Sequence, residues 1–409
     1  MKAAVCATGG QAEPARVDPT VMVRAAMLAG RVCRHVQRQM GPGGPLSHEG
    51  RRVIKADNSP VTIADFAAQA VVNRTLAEGL GAVKFGMMGE ESGSHFDRPG
   101  GEAELAACVT ALRDSGVWPE ADAAAVRAAV DLGAAESGAV RDGLLAGAGG
   151  TSGGAGLLFT LDPIDGTKGF LKGRQYAVCL AQLAAAPALG PGLQPVGAVL
   201  VCPNLPGVRE HEASDAELAG LEAVTFGRGV GGDDEQDAGT VMWTAGETPG
   251  VGVMDGSRLL AQRTGAFGAG DGRAVRLAEG VEPGHSNLSK FGVLLAALGG
   301  AGGGGAGGGG AGPGVKPSVR IDSQCKYAVV ARGWADAYVR FPHRPPGNEN
   351  IWDHASGVAM LRGVGCTVTD LDGRPLDFSG PKMTGNRGIL GAPPALHARL
   401  LKVIAREGL

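Results

Sequence analysis

An apolar run, Leu157-Leu158-Phe159-Thr160-Leu161, breaks off at Asp162-Pro163 and continues as Ile164-Asp165-Gly166-Thr167. Such a run reads as a buried strand that stops where aspartate and proline begin. Two carboxylates three residues apart, leaving that strand through a proline-stiffened turn, can face a common centre, and the Ile164 carbonyl can add a third oxygen. An all-oxygen set of this kind suits a hard cation such as Mg2+. Gly166 allows a tight turn and Thr167 stands where a helix can begin, so backbone N–H groups would face an anion beside the cation. The competing reading is an ordinary surface turn, since Asp, Pro and Gly are the usual turn residues.

The composition narrows what that corner serves. The formal net charge is −3, so no bulk positive field exists to hold a nucleic-acid polymer or an anionic membrane, and a phosphate partner must be bound locally. Hydrophobic residues make up 44 % and charged residues 19 %, which excludes a disordered polyelectrolyte. The 71 glycines follow no Gly-X-Y period, so a collagen-like chain is excluded. Seven scattered cysteines without a C-x-x-C pair argue against a disulfide framework and a structural zinc site, and favour a reducing compartment with buried, inert thiols. The longest apolar run, around Val293 to Leu298, is far shorter than the roughly 20 residues of a membrane span, so a soluble intracellular protein, cytoplasmic or organellar, is expected.

With 409 residues, two domains are expected. We assign residues 1–18 to an N-terminal tail, 19–275 to an α+β metal-binding domain, and 276–409 to an α/β nucleotide-binding domain. Residues 100–156, rich in Ala and Gly, read as a surface excursion with one helix near 121–132, and residues 299–314 as a glycine-rich loop. Asp18-Pro19-Thr20 predicts an N-cap and first turn for a helix running to Met40. Thr62 and Asp65 have capping-box spacing for a second helix ending near Gly79, which gives Asp65 a structural role. Further strands are expected at 176–183, 196–202, 239–244, 319–321 and 335–340, and a helix at 352–362. An Asp372-Gly373 turn predicts a hairpin pairing Thr367-Val368-Thr369 with Pro375-Leu376.

Two distant acidic segments change the balance against a plain turn at Asp162. Glu90-Glu91 precedes Ser92-Gly93, and Trp352-Asp353 heads the predicted helix; taken singly they read as a solvated acidic pair and a helix N-cap. Together with Asp162-Pro163-Ile164-Asp165-Gly166-Thr167, the segments Gly89-Glu90-Glu91-Ser92 and Trp352-Asp353-His354-Ala355-Ser356-Gly357 resemble the signatures of the lithium-sensitive, Mg2+-dependent phosphatases of the inositol monophosphatase superfamily. Asp57-Asn58-Ser59-Pro60-Val61-Thr62, Cys202-Pro203-Asn204-Leu205-Pro206, Gly284-His285-Ser286 and Asp322-Ser323-Gln324-Cys325-Lys326-Tyr327 are similar to its 3'(2'),5'-bisphosphate nucleotidase branch.

The resemblance implies a layered αβαβα sandwich of the inositol monophosphatase/fructose-1,6-bisphosphatase type, with an α+β and an α/β domain. It implies that Glu90, Asp162, Asp165, Asp353 and the Ile164 carbonyl bind two or three Mg2+ ions, and that Asp57 and Thr167 orient and deprotonate the attacking water. Residues matching Thr167, His285, Ser323, Lys326, Arg340 and Asp353 would hold the substrate. The implied reaction is hydrolysis of adenosine 3',5'-bisphosphate to AMP and phosphate, with 3'-phosphoadenylyl sulfate as a further substrate. An inositol phosphate 1-phosphatase and a non-catalytic nucleotide sensor are the alternatives. The expected partner is a small phosphorylated nucleotide, and the expected state a monomer.

Overall fold

Helix α1 (Pro19–Met40) starts as its sequence predicts: Asp18 Oδ1 accepts from Thr20 N at 2.9 Å and from Thr20 Oγ1 at 2.7 Å. The structure is a computed structural model that describes residues 16–40, 53–54, 60–61, 63–147, 156–206, 238–244, 249–253, 259–260, 274–281, 287–299, 314–342 and 349–409. After α1 come the paired β1 (Val53–Ile54) and β2 (Pro60–Val61), α2 (Ile63–Leu80), β3 (Phe85–Gly89), α3 (Gly101–Asp114), α4 (Ala123–Val130) and α5 (Ser137–Leu145). The chain continues through β4 (Leu157–Asp165), α6 (Thr167–Leu171), β5 (Ala177–Ala185), β6 (Leu193–Pro206), β7 (Ala238–Thr244), β8 (Pro249–Val253) and β9 (Leu259–Leu260). Then follow β10 (Leu277–Glu279), α7 (Leu288–Gly299), β11 (Val319–Arg320), α8 (Cys325–Ala331), β12 (Ala337–Arg340) and β13 (Glu349–Asn350). The last elements are α9 (Ala355–Gly363), β14 (Thr367–Thr369), β15 (Lys382–Met383), β16 (Ile389–Ala392) and α10 (Pro394–Arg406).

Among the described residues, β3 to β9 form a seven-stranded sheet in sequence order, with β3 and β4 parallel and the later pairs antiparallel. A five-stranded sheet has the order β11-β10-β12-β16-β14. Side-chain alternation shows how the layers stack. On β5, Val178 and Leu180 join the core beneath α1 and α2, while Ala177, Cys179 and Ala181 join a second core with Tyr327, Val329 and Val358 of α8 and α9. On β12, Tyr338 faces that same second core, whereas Ala337 and Val339 face outward to Phe291 and Leu294 of α7 and Leu400 and Ile404 of α10. The order is therefore helices, sheet, helices, sheet, helices. Both faces of each sheet are covered, which is why β4, β5 and β6 read as nearly continuous apolar runs. Each fully buried Leu or Phe contributes on the order of 1.5–3 kcal/mol of transfer free energy.

Three expectations need correction. The span read as a surface excursion contains, besides the expected helix at α4, the helices α3 and α5, and Leu105, Cys108, Val109 and Leu112 of α3 are buried in the main core at helical spacing. The strand does not stop at Asp162 but runs through Pro163 to Asp165. The Asp372-Gly373 turn forms, with Asp370 Oδ1 accepting from Asp372 N and Arg374 N, yet β14 pairs with β16 and Pro375-Leu376 is not a strand. Six cysteines, Cys33, Cys108, Cys179, Cys202, Cys325 and Cys366, are buried and unpaired by disulfides. Burial pushes the thiols of Cys33, Cys108, Cys179 and Cys366 up, away from the reactive thiolate. No helix among the described residues is long and apolar enough to cross a membrane.

The contact between the two inner helices is tight at Gly357 of α9, where a Cβ would sit 2.2 Å from Cγ of the buried Tyr327 ring. Gly357→Ala is expected to lower stability by about 1–3 kcal/mol through overpacking. A denaturant midpoint indistinguishable from that of the parent would contradict this packing.

Candidate active site

The carboxylates are gathered by strand register. Between Asp162 and Asp165 the β4–β5 ladder shifts: Asp162 pairs with Cys179 and Asp165 with Ala177, so three steps on β4 oppose two on β5. In a regular strand, residues three apart face opposite sides; the one extra residue of this bulge turns both acids to the same side. Pro163 is tolerated because a bulge does not need its missing N–H. Asp162 is 2 % exposed, and its Oδ1 accepts from Ile164 N at 3.0 Å, so the plain surface-turn reading fails. Glu90 follows directly on β3, the parallel neighbour of β4, and its N–H donates to Leu161 O at 3.2 Å. Both acids therefore stand at the carboxyl ends of adjacent parallel strands, where open α/β sheets leave a crevice.

Gln69 of α2 fixes the Glu90-Glu91 corner: its Oε1 accepts from Glu91 N at 3.1 Å and its Nε2 donates to Glu91 O at 2.7 Å. Glu91 is itself buried, so the pair is not a solvated one. Asp353 ends a 3-10 turn (Ile351–Asp353), and α9 has no side-chain cap from it; the N-cap position is His354. Gln324 supplies that bond instead, its Oε1 accepting from Gly357 N at 2.8 Å while its Nε2 donates to Trp352 O at 2.7 Å and its backbone N–H donates to Asp165 Oδ2. One buried glutamine thus ties the Asp165 corner to the Asp353 turn. Nothing in the local sequence around Gln324 signals this role.

The acids also act on one another electrostatically. Asp162 is pushed well above the ordinary carboxylate range by burial first, then by Glu90, Asp165, Asp353 and Asp65. Burial, Asp165 and Glu90 likewise raise Asp353, opposed by the Arg340 guanidinium. Burial raises Asp165 to about 6, against the pull of Lys326, the Gln324 N–H and Arg340. Asp65, assigned a capping role, is buried in the first turn of α2 and near enough to act on Asp162; its partner Thr62 lies outside the described residues. Among the described residues, no group of three His, Cys, Asp or Glu side chains is placed to hold a metal ion.

A cationic flank borders the acids. Gly166, with φ +89°, turns the chain beside the Ser323 side chain, whose Cβ would lie 2.8 Å from any Cβ at 166. Ser323 itself has φ +63° and is buried. Lys326, one turn on, is lowered chiefly by burial, with Asp322 and Asp165 opposing. Arg340 ends β12 and pairs with Glu349, Nε to Oε1 2.6 Å. Thr167 opens α6, and its Oγ1 donates to Ile164 O at 3.2 Å. Ser323, Lys326 and Arg340 thus lie with the Asp162 corner, while Asp57 and His285 fall outside the described residues.

These features define a class: a layered αβαβα protein in which buried acids of β4 and the Asp353 turn act on one another electrostatically. More specifically, the chain belongs to the inositol monophosphatase family, whose model matches residues 20–208 and 305–408. It is 32 % identical to the 3'(2'),5'-bisphosphate nucleotidase of Emericella nidulans, over 87 % of this chain and 90 % of that protein. Its identity to the Oryza sativa protein of the same name is also 32 %, over 93 % of this chain and 91 % of that one. Among solved structures, the extragenic suppressor protein suhB from Bartonella henselae matches at 18 % identity and a TM-score of 0.49, over 94 % of this chain and 97 % of that one. The family is generally Mg2+-dependent.

The residues present fit such a cation. Burial and the charges of Glu90, Asp165, Asp353 and Asp65 raise Asp162 despite the hydrogen bond it accepts from Ile164 N, and the neighbouring donors are hard carboxylate and carbonyl oxygens. The sign of the pH dependence follows. Asp165 binds its proton more tightly folded than unfolded, so metal-free stability rises as pH falls from about 6 toward its ordinary 3.8. Glu349, lowered to about 2 by His354 and Arg340 despite burial, contributes stability above its ordinary 4.5 that is lost as pH falls below it. Metal-free protein should therefore melt highest near pH 5, and added Mg2+ should raise the melting temperature more at pH 7.5 than at pH 5. An equal Mg2+ effect at both values would contradict the carboxylate cage.

Proposed function

We propose that this chain is a Mg2+-dependent 3'(2'),5'-bisphosphate nucleotidase that hydrolyses adenosine 3',5'-bisphosphate to AMP and phosphate, and 3'-phosphoadenylyl sulfate to adenylyl sulfate. The observation that carries this reading is the pair of basic side chains, Lys326 and Arg340, whose charges reach Asp165 from separate elements. A simple monophosphate ester has no need of a second anion anchor beside the metal-binding acids; a bisphosphate does. The names of the relatives agree with it.

In this reading Glu90, Asp162, Asp165, Asp353 and the Ile164 carbonyl hold two or three ions. When bound, Mg2+ supplies a more acidic water and offsets the charge that builds on the phosphoryl oxygens. Asp57 and Thr167 orient the attacking water and take its proton. Ser323, Lys326, Arg340 and His285 hold the nucleotide, with Asp353 and Thr167 also facing it. Residues 19–275 would carry most of the metal ligands and residues 276–409 most of the nucleotide contacts. Buried, unpaired thiols suit a monomer working in a reducing, intracellular compartment.

Four carboxylates are balanced by two Mg2+ ions, which leaves the substrate phosphate to recruit further positive charge. Turnover is accordingly expected to depend on Mg2+ with a Hill coefficient above one; a hyperbolic dependence at saturating substrate would count against more than one ion acting in the reaction.

A phosphate-release panel tests the substrate. Adenosine 3',5'-bisphosphate is expected to give the highest kcat/KM, with 3'-phosphoadenylyl sulfate next, both abolished without Mg2+ and inhibited by Li+. Faster release from inositol 1,4-bisphosphate would replace the nucleotide with an inositol phosphate, and no release from any of them would leave a sensor.

A further inference from the structure

Thr167 opens a helix that its own sequence does not hold in place. α6 has five residues, starts at Gly166 without a side-chain cap, and carries Gly169 in its interior. One turn on its own is marginal, because nucleation fixes several residues for a single hydrogen bond, and an interior glycine weakens it further. Glycine is required at 169 all the same, since a Cβ there would collide with Gln175 O. The position of α6 must therefore come from outside it.

Three buried amides supply it. Gln37 of α1 donates from Nε2 to Phe170 O at 2.9 Å. Asn204 of β6 donates from Nδ2 to Arg174 O at 2.6 Å and to Gln37 Oε1 at 3.1 Å, one bond for each of its two amide hydrogens. Gln175 Nε2 donates to Asn204 O at 2.8 Å. Gln37, Asn204 and Gln175 are 4 %, 3 % and 2 % exposed, so water does not compete freely for these bonds. The carbonyl acceptors also fix which way each amide points, because a flipped amide would set oxygen against oxygen. Phe170 O accepts a second bond, from Gly173 N at 3.1 Å, and the Phe170 ring packs edge-on against Tyr176 with centroids 4.9 Å apart.

Asn204 belongs to Cys202-Pro203-Asn204-Leu205-Pro206, a segment to which no role has yet been given. Here the β6–β7 ladder shifts: Cys202 pairs with Thr240 and Pro206 with Ala238, so four steps on β6 oppose two on β7. Pro203 and Pro206 have no N–H to give a ladder, which suits them to such an irregularity. Arg34, one turn before Gln37 on the same face of α1, donates from its guanidinium to Pro203 O at 3.2 Å. The segment is thus a bracket between α1 and the turn that follows α6. At its other end α6 runs directly from Gly166 and the Asp162–Asp165 bulge, so a displacement of its last turn moves Thr167 relative to both acids.

We propose that Gln37 and Asn204 are positioning residues: by holding the carbonyls of Phe170 and Arg174 they set α6, and through it the Thr167 hydroxyl, against the Asp162–Asp165 corner. The catalytic half of this inference rests on the proposed role of Thr167; the hold on α6 does not.

Four full-length proteins test it: the parent, Gln37→Leu, Thr167→Ala and the double variant. Leucine keeps an apolar side chain of similar reach, and Phe170 O and Asn204 Nδ2 retain their bonds to Gly173 N and Arg174 O, so the fold should survive. Steady-state kinetics at saturating Mg2+ use whichever substrate of the phosphate-release panel has the highest kcat/KM. Mg2+ binding is measured by calorimetry, and amide exchange is followed by mass spectrometry. Gln37→Leu is expected to lower kcat about tenfold, with KM and Mg2+ affinity within about twofold of the parent. In the Thr167→Ala background the same substitution should change kcat by less than about twofold. A merely structural role would lower kcat by the same factor in both backgrounds, and that result, or parental kcat in Gln37→Leu, overturns the catalytic half. Amides of residues 167–175 should exchange about tenfold faster in Gln37→Leu while those of β4 and β5 keep the parental rate. Unchanged exchange there, or faster exchange throughout the chain, overturns the hold on α6. If Gln37→Leu does not fold, Gln37→Asn keeps the amide but withdraws it by one methylene; it should shift kcat and exchange the same way by less, and no shift overturns the proposal. Parental kcat in Thr167→Ala, or no phosphate release from any substrate, would sink the role given to Thr167 and the catalytic half with it, while the exchange data would still decide the hold on α6.

Discussion

Like charges held together in a low-dielectric corner govern this molecule. Asp162 is almost wholly buried, and burial and four neighbouring acids all push it toward protonation. Such an arrangement is costly for a metal-free protein, and it persists because the surrounding structure over-determines it. The β3–β4 register, the bulge after Asp162, the Gln69 clamp and the Gln324 bridge each fix one member of the set from a different element. Lys326 and Arg340 relieve the repulsion only at its edge, through Asp165 and Asp353. In the proposed reading, a cation completes what the basic side chains leave unbalanced.

Much of the candidate site could be named from the sequence because its acids sit in short local patterns. Asp162 and Asp165 share one six-residue stretch, and Glu90 and Asp353 each lie in a recognisable segment, so the resemblance named them without any knowledge of the fold. What it could not supply was the means of convergence. Proline after aspartate reads as a strand end, and only pairing with β5 turns it into a bulge inside a strand. Gln324 and Glu349 look like ordinary polar residues, and their importance exists only once α9 and β12 have packed beside them. Asp65 was given a local role that spacing alone suggests, whereas its charge is felt across the core at Asp162.

The fold was legible to the same extent and for the same reason. Elements with strong end signals, such as α1 with Asp18 and Pro19, were placed closely. The helices at 101–114 and 137–145 were missed because Ala and Gly dominate the surrounding composition, although Leu105, Cys108, Val109 and Leu112 follow the helical period and fill the core. The partner of β14 was misjudged because the turn at Gly373 is local, while the ladder with β16 depends on β12 lying alongside. Local chemistry sets the turns; distant packing decides which strands meet.

The bulge at Pro163 and Ile164 also limits how this protein can change over generations. Removing a single residue there would return the strand to its regular pleat and swing one aspartate to the opposite face of the sheet. Lineages can trade side chains at this corner, but they cannot shorten it by a codon and keep both acids in place.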